Sequence, residues 1–115
     1  MNNRQMGAVR EAEAAAYLSQ NGYQILEKNF RCRTGEIDII ARDSEYLCFV
    51  EVKFRSGTDY GSPFEAVTYK KQQKIIRVAQ YYMQKNGYAA DTECRFDVVA
   101  VEKTKITLLK NAFGI

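Results

Sequence analysis

The segment 36–53 constrains this chain most, because it places charged residues inside two apolar runs. Asp38 lies within the first run, and Glu51 and Lys53 close the second. Both runs are typical of buried β-strands. A buried charge without a partner is costly, so the two carboxylates require a compensating group. A divalent metal ion would compensate both acids, and the lysine beside them could serve a phosphate substrate.

Composition narrows the classes of function. The 115 residues suit one domain, 1–115, with a single core. The net charge of +3 is too weak to indicate a nucleic-acid partner by itself, so the distribution of charge must carry that argument. Because the chain has no histidine, histidine triads, histidine metal sites and histidine general bases are excluded.

Cysteine usage and hydropathy indicate a cytoplasmic protein. Cys32, Cys48 and Cys94 are few and widely spaced, which indicates neither a zinc site nor a disulfide framework and fits a reducing compartment. We expect Cys48 to lie in the core. No stretch has the character of a signal peptide or the length of a membrane span, so no membrane partner is expected.

Periodicity and turn signals predict an α/β (α+β) fold with a mixed sheet and the element order αβββαββ. The predicted helices are 4–20 and 63–85, and the predicted strands are 23–31, 36–42, 46–54, 95–101 and 106–110. Asn21–Gly22 and Asn86–Gly87 are helix stop signals, and Ser62–Glu65 resembles a capping box with proline at the first helical position. Short connections favour an antiparallel meander for the first three strands, and the long crossover favours parallel pairing of the third and fourth strands.

The period of two along the third strand places Leu47, Phe49, Glu51 and Lys53 on one face. Glu51 and Lys53 therefore point the same way. Asp38 lies close to Glu51 in one register of the hairpin, but the sequence does not determine that register.

The first helix offers a further acid. A helical wheel puts Glu11 on one face with Ala8, Ala14, Ala15 and Leu18, whereas Glu13 points to water. We therefore expect Glu11 to be directed toward the core. The alternative is that Glu11 lies at the edge of this alanine face and reaches solvent.

These residue types suit phosphodiester hydrolysis, which needs charge stabilisation at the phosphate and an activated water. Asp38 and Glu51 are hard oxygen ligands, suited to Mg²⁺ or Mn²⁺ rather than zinc. The backbone carbonyl of Val52 would complete the protein ligands, Lys53 would steer the water and contact the phosphate, and Glu11 would hold a second metal or a metal-bound water. The alternative is a Glu–Lys pair on the solvent side of a half-buried strand.

The spacing from Asp38 to Lys53 resembles the PD-(D/E)xK nuclease signature, and the wider sequence resembles the YraN family of small bacterial proteins. The resemblance covers nearly the whole chain and rests on the segments 35–43, 49–55, 66–68 with Lys71, 95–98 and 111–113. It implies a restriction-endonuclease-like fold, similar to archaeal Holliday-junction resolvases, with a nuclease-type site at Glu11, Asp38, Glu51 and Lys53. Two positions depart from these patterns: Glu36–Ile37 stands where a literal PD motif has proline before Asp38, which is usual in the family, and Arg10 stands where the family commonly has glycine.

Basic residues follow the second helix and the strand ends. Lys70, Lys74 and Arg77 form a stripe that Tyr81 extends, and Lys71 lies nearer the apolar edge, where it could face the site. Four arginines are expected near the strand ends that flank the site: Arg31, Arg33, Arg42 and Arg55. Such residues would make salt-dependent, largely sequence-independent phosphate contacts. The alternative is a solvated helix face. No tyrosine is assigned to base stacking.

Three hypotheses follow. The first is a metal-dependent endonuclease for DNA, branched or otherwise structured, with RNA left open. The second is a nucleic-acid-binding module that keeps the fold and the site but serves a partner without efficient cleavage. The third is an interaction domain whose acids are merely paired with Lys53 and Arg42. Cutting a four-way junction would require two active sites and hence a homodimer, for which Tyr46, Tyr60 and Phe113 are candidate contact residues.

Overall fold

The computed structural model describes residues 3–55, 67–103 and 105–114. Its elements are α1 (Asn3–Gln20), β1 (Gln24–Arg31), β2 (Glu36–Asp43), β3 (Tyr46–Arg55), α2 (Tyr69–Lys85), β4 (Cys94–Glu102) and β5 (Ile106–Phe113). The five strands form one sheet in the order β1-β2-β3-β4-β5. β3 and β4 are parallel and the other pairs antiparallel, which confirms the predicted mixed sheet and element order.

The two helices cover opposite faces of this sheet. α1 packs Ala14, Ala15 and Leu18 into a cluster with Ile39, Cys48, Val50, Val99 and other buried residues. α2 packs Ile75, Val78, Ala79 and Tyr82 against Ile40, Phe49, Phe96 and Val98. Because neighbouring strand residues alternate between the two clusters, the central strands are buried on both sides, and Cys48 is in the core as predicted.

α1 ends where the sequence predicts, because Gly22 adopts a positive φ of 91° after Asn21. Ala14 and Leu18 are fully buried, and Glu13 is exposed. The face that Ala8 shares with these residues is buried only in its second half. Ala8 is exposed because α1 packs on the sheet through its second half, while Glu11, one turn before Ala14, is only partly buried.

α2 begins later than predicted. Its first residue is Tyr69, and the N-cap is Thr68, whose side chain accepts a hydrogen bond from the Lys71 backbone N–H at 3.2 Å. The predicted capping box at Ser62–Glu65 lies outside the described residues and does not start this helix. The stop at Asn86–Gly87 is confirmed, with φ 73° at Gly87.

β5 also extends beyond its predicted end at Lys110. Asn111 adopts a positive φ of 56°, and the pairing with β4 shifts register between Phe96 and Val98. This irregularity lets the strand continue to Phe113 instead of stopping. Of the three candidate dimer contacts, Phe113 stacks on Phe96 with ring centroids 5.1 Å apart, and the Tyr46 ring centroid lies 5.0 Å from the Arg95 guanidinium carbon. The third, Tyr60, lies outside the described residues.

Neither helix in the described part of the chain is long and apolar enough to cross a membrane. All three cysteines are free.

Candidate active site

Asp38 is held at the centre of the site by the hairpin of β2 and β3. The pairing of β2 with β3 ends at Ile39 and Val50, and Asp38 and Glu51 are the next residues along the two strands. The Asp38 carboxylate accepts a hydrogen bond from the Val52 backbone N–H at 2.8 Å. Burial and the negative charge of Glu51 raise the pKa of Asp38 to about 7, although the Val52 hydrogen bond opposes the rise.

Glu51 is 7% exposed and is neutralised by two lysines. Its Oε1 atom lies 2.8 Å from the Lys71 Nζ and 3.8 Å from the Lys53 Nζ. Lys53 comes from the same face of β3, and Lys71 reaches across from the first turn of α2. The expectation that Lys71 could face the site is therefore met in the geometry.

The two ammonium groups influence each other. Burial lowers the pKa of Lys53, and the nearby Lys71 lowers it further, against the attraction of Glu51. Burial is the largest single effect on Lys71 and lowers its pKa, but the hydrogen bonds to Glu51 and Lys53 and the attraction of Glu51 and Asp38 together raise the pKa on balance. Lys53 is therefore the lysine whose charged form is less favoured.

Glu36 is the acid that sequence reasoning missed. Carboxylate oxygens of Glu11, Glu36 and Asp38 lie within 4.8 Å of one another, a spacing at which they could hold a cation. This trio differs from the predicted metal set of Asp38, Glu51 and Val52, because Glu51 instead faces the lysines. The period of two on β2, which puts residues 36 and 38 on one face, was the signal that could have found Glu36.

A cleft joins these groups to the basic face of α2. It has a volume of about 240 Å³ and is lined by Gly35, Glu36, Asp38, Glu51, Lys71, Lys74 and Ile75. A neighbouring cleft of about 340 Å³ is lined by Thr68, Lys70, Lys71 and Lys74. Lys71 and Lys74 belong to both clefts, so acidic and basic groups border one continuous surface.

The predicted basic stripe is exposed along α2 at Lys70, Lys74 and Arg77, as is Tyr81. Tyr69, which precedes Lys70, is 75% exposed. Arg55 is partly buried at the end of β3, opposite Glu102 of β4, and interacts within the chain.

The expectation that Arg42 flanks the site was wrong. Arg42 pairs with Leu47 beside the β2–β3 turn, four residues or about 13 Å along the strand from Asp38. Arg42 therefore does not partner the acids as the third hypothesis requires. Arg31 forms an ion pair with Glu36 at 2.6 Å, and Arg33 is exposed.

A second polar cluster lies around Asp97, which is fully buried on β4. Its carboxylate accepts hydrogen bonds from the Tyr23 hydroxyl at 2.7 Å, from the Arg95 guanidinium at 2.9 and 3.0 Å and from the Asn111 backbone N–H at 2.9 Å. Arg95 also donates to Asp43 at 2.7 Å. Tyr23 lies in the connection between α1 and β1, and Asn111 lies on β5, so Asp97 ties that connection, β4 and β5 together.

The fold and this site define a class of protein: a mixed α/β domain, consistent with a nuclease-like core, that gathers carboxylates and lysines in one cleft. The chain belongs to the uncharacterised protein family UPF0102, the YraN family, whose model matches residues 10–101. The resemblance found in the sequence is thereby confirmed.

The chain is similar to other members over nearly its whole length. A UPF0102 protein of Lachnoclostridium phytofermentans is 53% identical over 113 residues, which cover 98% of this chain and 96% of that relative. One from Acetivibrio thermocellus is 50% identical, covering 97% and 93%. A third, from Clostridium botulinum (strain Loch Maree / Type A3), is 46% identical, covering 98% and 97%.

Proposed function

We propose that this protein is a Mg²⁺- or Mn²⁺-dependent endonuclease that hydrolyses phosphodiester bonds in DNA, including branched or otherwise structured DNA. One observation carries the proposal: the Asp38 and Glu51 carboxylates share a cleft with Lys71, and that cleft continues into the basic surface of α2. Carboxylates supply ligands for a hard cation, and lysines supply contacts for phosphate. A raised pKa of a carboxyl group in a cleft is also typical of functional sites.

The donor set fits such a cation. Glu11, Glu36 and Asp38 bring oxygen atoms within 4.8 Å of one another, and hard divalent cations prefer oxygen ligands. Glu51 and the backbone carbonyl of Val52 are the other predicted ligands of this cation. A bound cation would stabilise charge on the phosphate and lower the pKa of a water.

The lysines and arginines would position the attacking water and bind the backbone phosphates. Lys53, whose side chain is 19% exposed, would donate a hydrogen bond to the attacking water and hold it against the phosphate. Lys70, Lys71, Lys74, Arg77 and Arg55 would bind backbone phosphates along the cleft and orient the strand.

The test is cleavage of labelled linear, flap and four-way-junction DNA, with matching RNA strands, in Mg²⁺ and in Mn²⁺. The double variant D38N/E51Q removes both central acids with little change in shape, and E13Q is its control, because Glu13 is an exposed acid on α1. Cutting by the wild type and by E13Q, but not by the double variant, is expected.

The same assay separates the rival functions. Binding of DNA in gel shifts, without cutting of any substrate, would favour the nucleic-acid-binding module that serves a partner. Failure to bind any divalent cation in isothermal titration calorimetry would favour the interaction domain. We further propose a homodimer in the cytoplasm as the form that cuts junctions, and light scattering of the complex with junction DNA would measure its stoichiometry.

A further inference from the structure

Glu51 forms a close ion pair with Lys71 in the cleft. The Lys71 Nζ lies 2.8 Å from Glu51 Oε1, one ångström closer than the Lys53 Nζ. Lys53 accompanies Glu51 on the same strand, but Lys71 must extend from another element to reach it. Glu51 is buried, so its charge is neutralised mainly by a side chain of α2.

This ion pair competes with any cation that approaches Glu51. The Lys71 ammonium contacts Glu51 Oε1, and its positive charge repels a cation that approaches either oxygen of the carboxylate. The acids Glu11, Glu36 and Asp38 form a group that excludes Glu51 in this arrangement. Glu51 can join their cation more readily once Lys71 moves away.

The Lys71 side chain can move from Glu51 into the neighbouring cleft. Its side chain is 41% exposed, its four-carbon stem is flexible, and it also lines the neighbouring cleft with Thr68, Lys70 and Lys74. The described residues that line this cleft offer hydroxyl and ammonium groups, which suit a phosphate. A nucleic-acid phosphate there would receive the ammonium group that Glu51 releases.

We propose that Lys71 is an exchangeable counter-ion: it neutralises Glu51 in the cation-free protein and moves to a nucleic-acid phosphate when Glu51 takes part in cation binding. Divalent cation and nucleic acid then reinforce each other's binding through one side chain. The inference rests on the proposed function for the identity of the two ligands, but it concerns their binding and not cleavage. Because coupling between two binding events is reciprocal, either ligand should tighten the other by the same factor.

The test compares Mn²⁺ binding by the wild type and by K71M at constant ionic strength, with free Mn²⁺ followed by electron paramagnetic resonance. The matched control is K85M, since Lys85 is an exposed lysine in the last turn of the same helix and is not among the described lining residues of either cleft. Each titration is run without DNA and with a phosphorothioate duplex that resists cleavage. Thermal melting checks that each variant folds.

Without DNA, K71M should bind Mn²⁺ about fivefold more tightly than the wild type, and K85M should change little. With DNA, the wild type and K85M should gain about fivefold in Mn²⁺ affinity, and K71M should gain nothing. K71Q, which removes the charge but keeps a polar side chain, should behave as K71M and would carry the test if K71M failed to fold, whereas K71R should resemble the wild type.

Equal Mn²⁺ affinity of K71M and the wild type without DNA would overturn the inference, as would full coupling in K71M. Neither result depends on cleavage, so the nuclease proposal could survive both. Conversely, tight Mn²⁺ and DNA binding with the expected coupling but no cleavage would support the counter-ion role and contradict the nuclease. Binding of no Mn²⁺ by any variant would overturn both.

Discussion

The Asp38 carboxylate on β2 accepts a hydrogen bond from the Val52 backbone N–H on β3 at 2.8 Å. This contact joins the two strands of the motif and holds Asp38 beside Glu51, where the two negative charges repel each other. One hydrogen bond thus stabilises an arrangement that electrostatics opposes. A site of this kind is expected to cost stability until a cation neutralises it.

Replacing Asp38 by asparagine should therefore stabilise the cation-free protein at neutral pH. The pKa of Asp38 is raised from 3.8 to about 7 in the folded state, so the folded protein holds a proton there that the unfolded chain has lost. Wild-type stability should fall, relative to D38N, as the pH rises from about 4 to 7, and the difference above pH 7 should be about 2–4 kcal/mol. Urea unfolding in EDTA at several pH values measures it.

E13Q is the control for this series, because Glu13 is exposed. A loss of stability in D38N at pH 8 would contradict the prediction and would favour an acid that is stably paired within the chain.

Lys53 should be needed for cleavage but not for cation binding. K53M removes the ammonium that we assign to the water, while Asp38 and Glu51 remain in place. Cleavage should fall by about 10²-fold or more. Mn²⁺ affinity should be unchanged or tighter, since a positive charge 3.8 Å from Glu51 is lost. Single-turnover cleavage and calorimetry give the two quantities, and wild-type activity in K53M would remove Lys53 from the mechanism.

The basic face of α2 should determine how strongly salt weakens DNA binding. Each of K70Q, K74Q and R77Q should lower the slope of log affinity against log salt concentration by about 1, if each side chain neutralises one phosphate. K85Q is the control, because Lys85 lies in the last turn of the same helix. Fluorescence anisotropy at several salt concentrations measures the slopes, and equal slopes for all four variants would place the DNA elsewhere.

The Asp97 cluster should support the fold. D97N keeps the size of the side chain but leaves Arg95, whose side chain is 11% exposed, with a weaker counter-charge. It also turns an acceptor for Tyr23, Arg95 and Asn111 into a partial donor. We expect a loss of about 3 kcal/mol in the free energy of unfolding, measured in urea. D91N, at an exposed acid, should unfold like the wild type, and an equally stable D97N would contradict the role of the cluster.

Local signals predicted most of the elements. Alternation along β2 and β3 identified the buried strands, and Asn–Gly pairs marked the ends of both helices, because these patterns depend only on neighbouring residues. The start of α2 was misplaced because the proline-containing capping-box pattern at 62–65 predicts an earlier start than the observed N-cap at Thr68. The end of β5 was missed because the bulge at Asn111 depends on its hydrogen bond to Asp97, a residue fourteen positions away.

The residues of the candidate site could likewise be predicted from the sequence only in part. Asp38, Glu51 and Lys53 could be named from the sequence, since their charges interrupt apolar runs and the period of two sets Glu51 and Lys53 on one face. Glu36 shares the periodicity of Asp38, but an acid at the start of a strand is not by itself a sign of a site, and the contact with Glu11 and Asp38 appears only in the structure. Asp97 was seen only as part of a family motif.

The sequence by itself determined which strands are buried, which acids and lysines share a face and which family the chain resembles, because these properties follow from local periodicity and from residue identity. Only the tertiary structure decided which of these residues contact one another. The hairpin register brought Asp38 to Val52 and Glu51, the packing of α2 brought Lys71 to 2.8 Å from Glu51, and the end of α1 brought Tyr23 to Asp97. Contacts between segments distant in the chain depend on how whole faces pack together, and no local pattern specifies that.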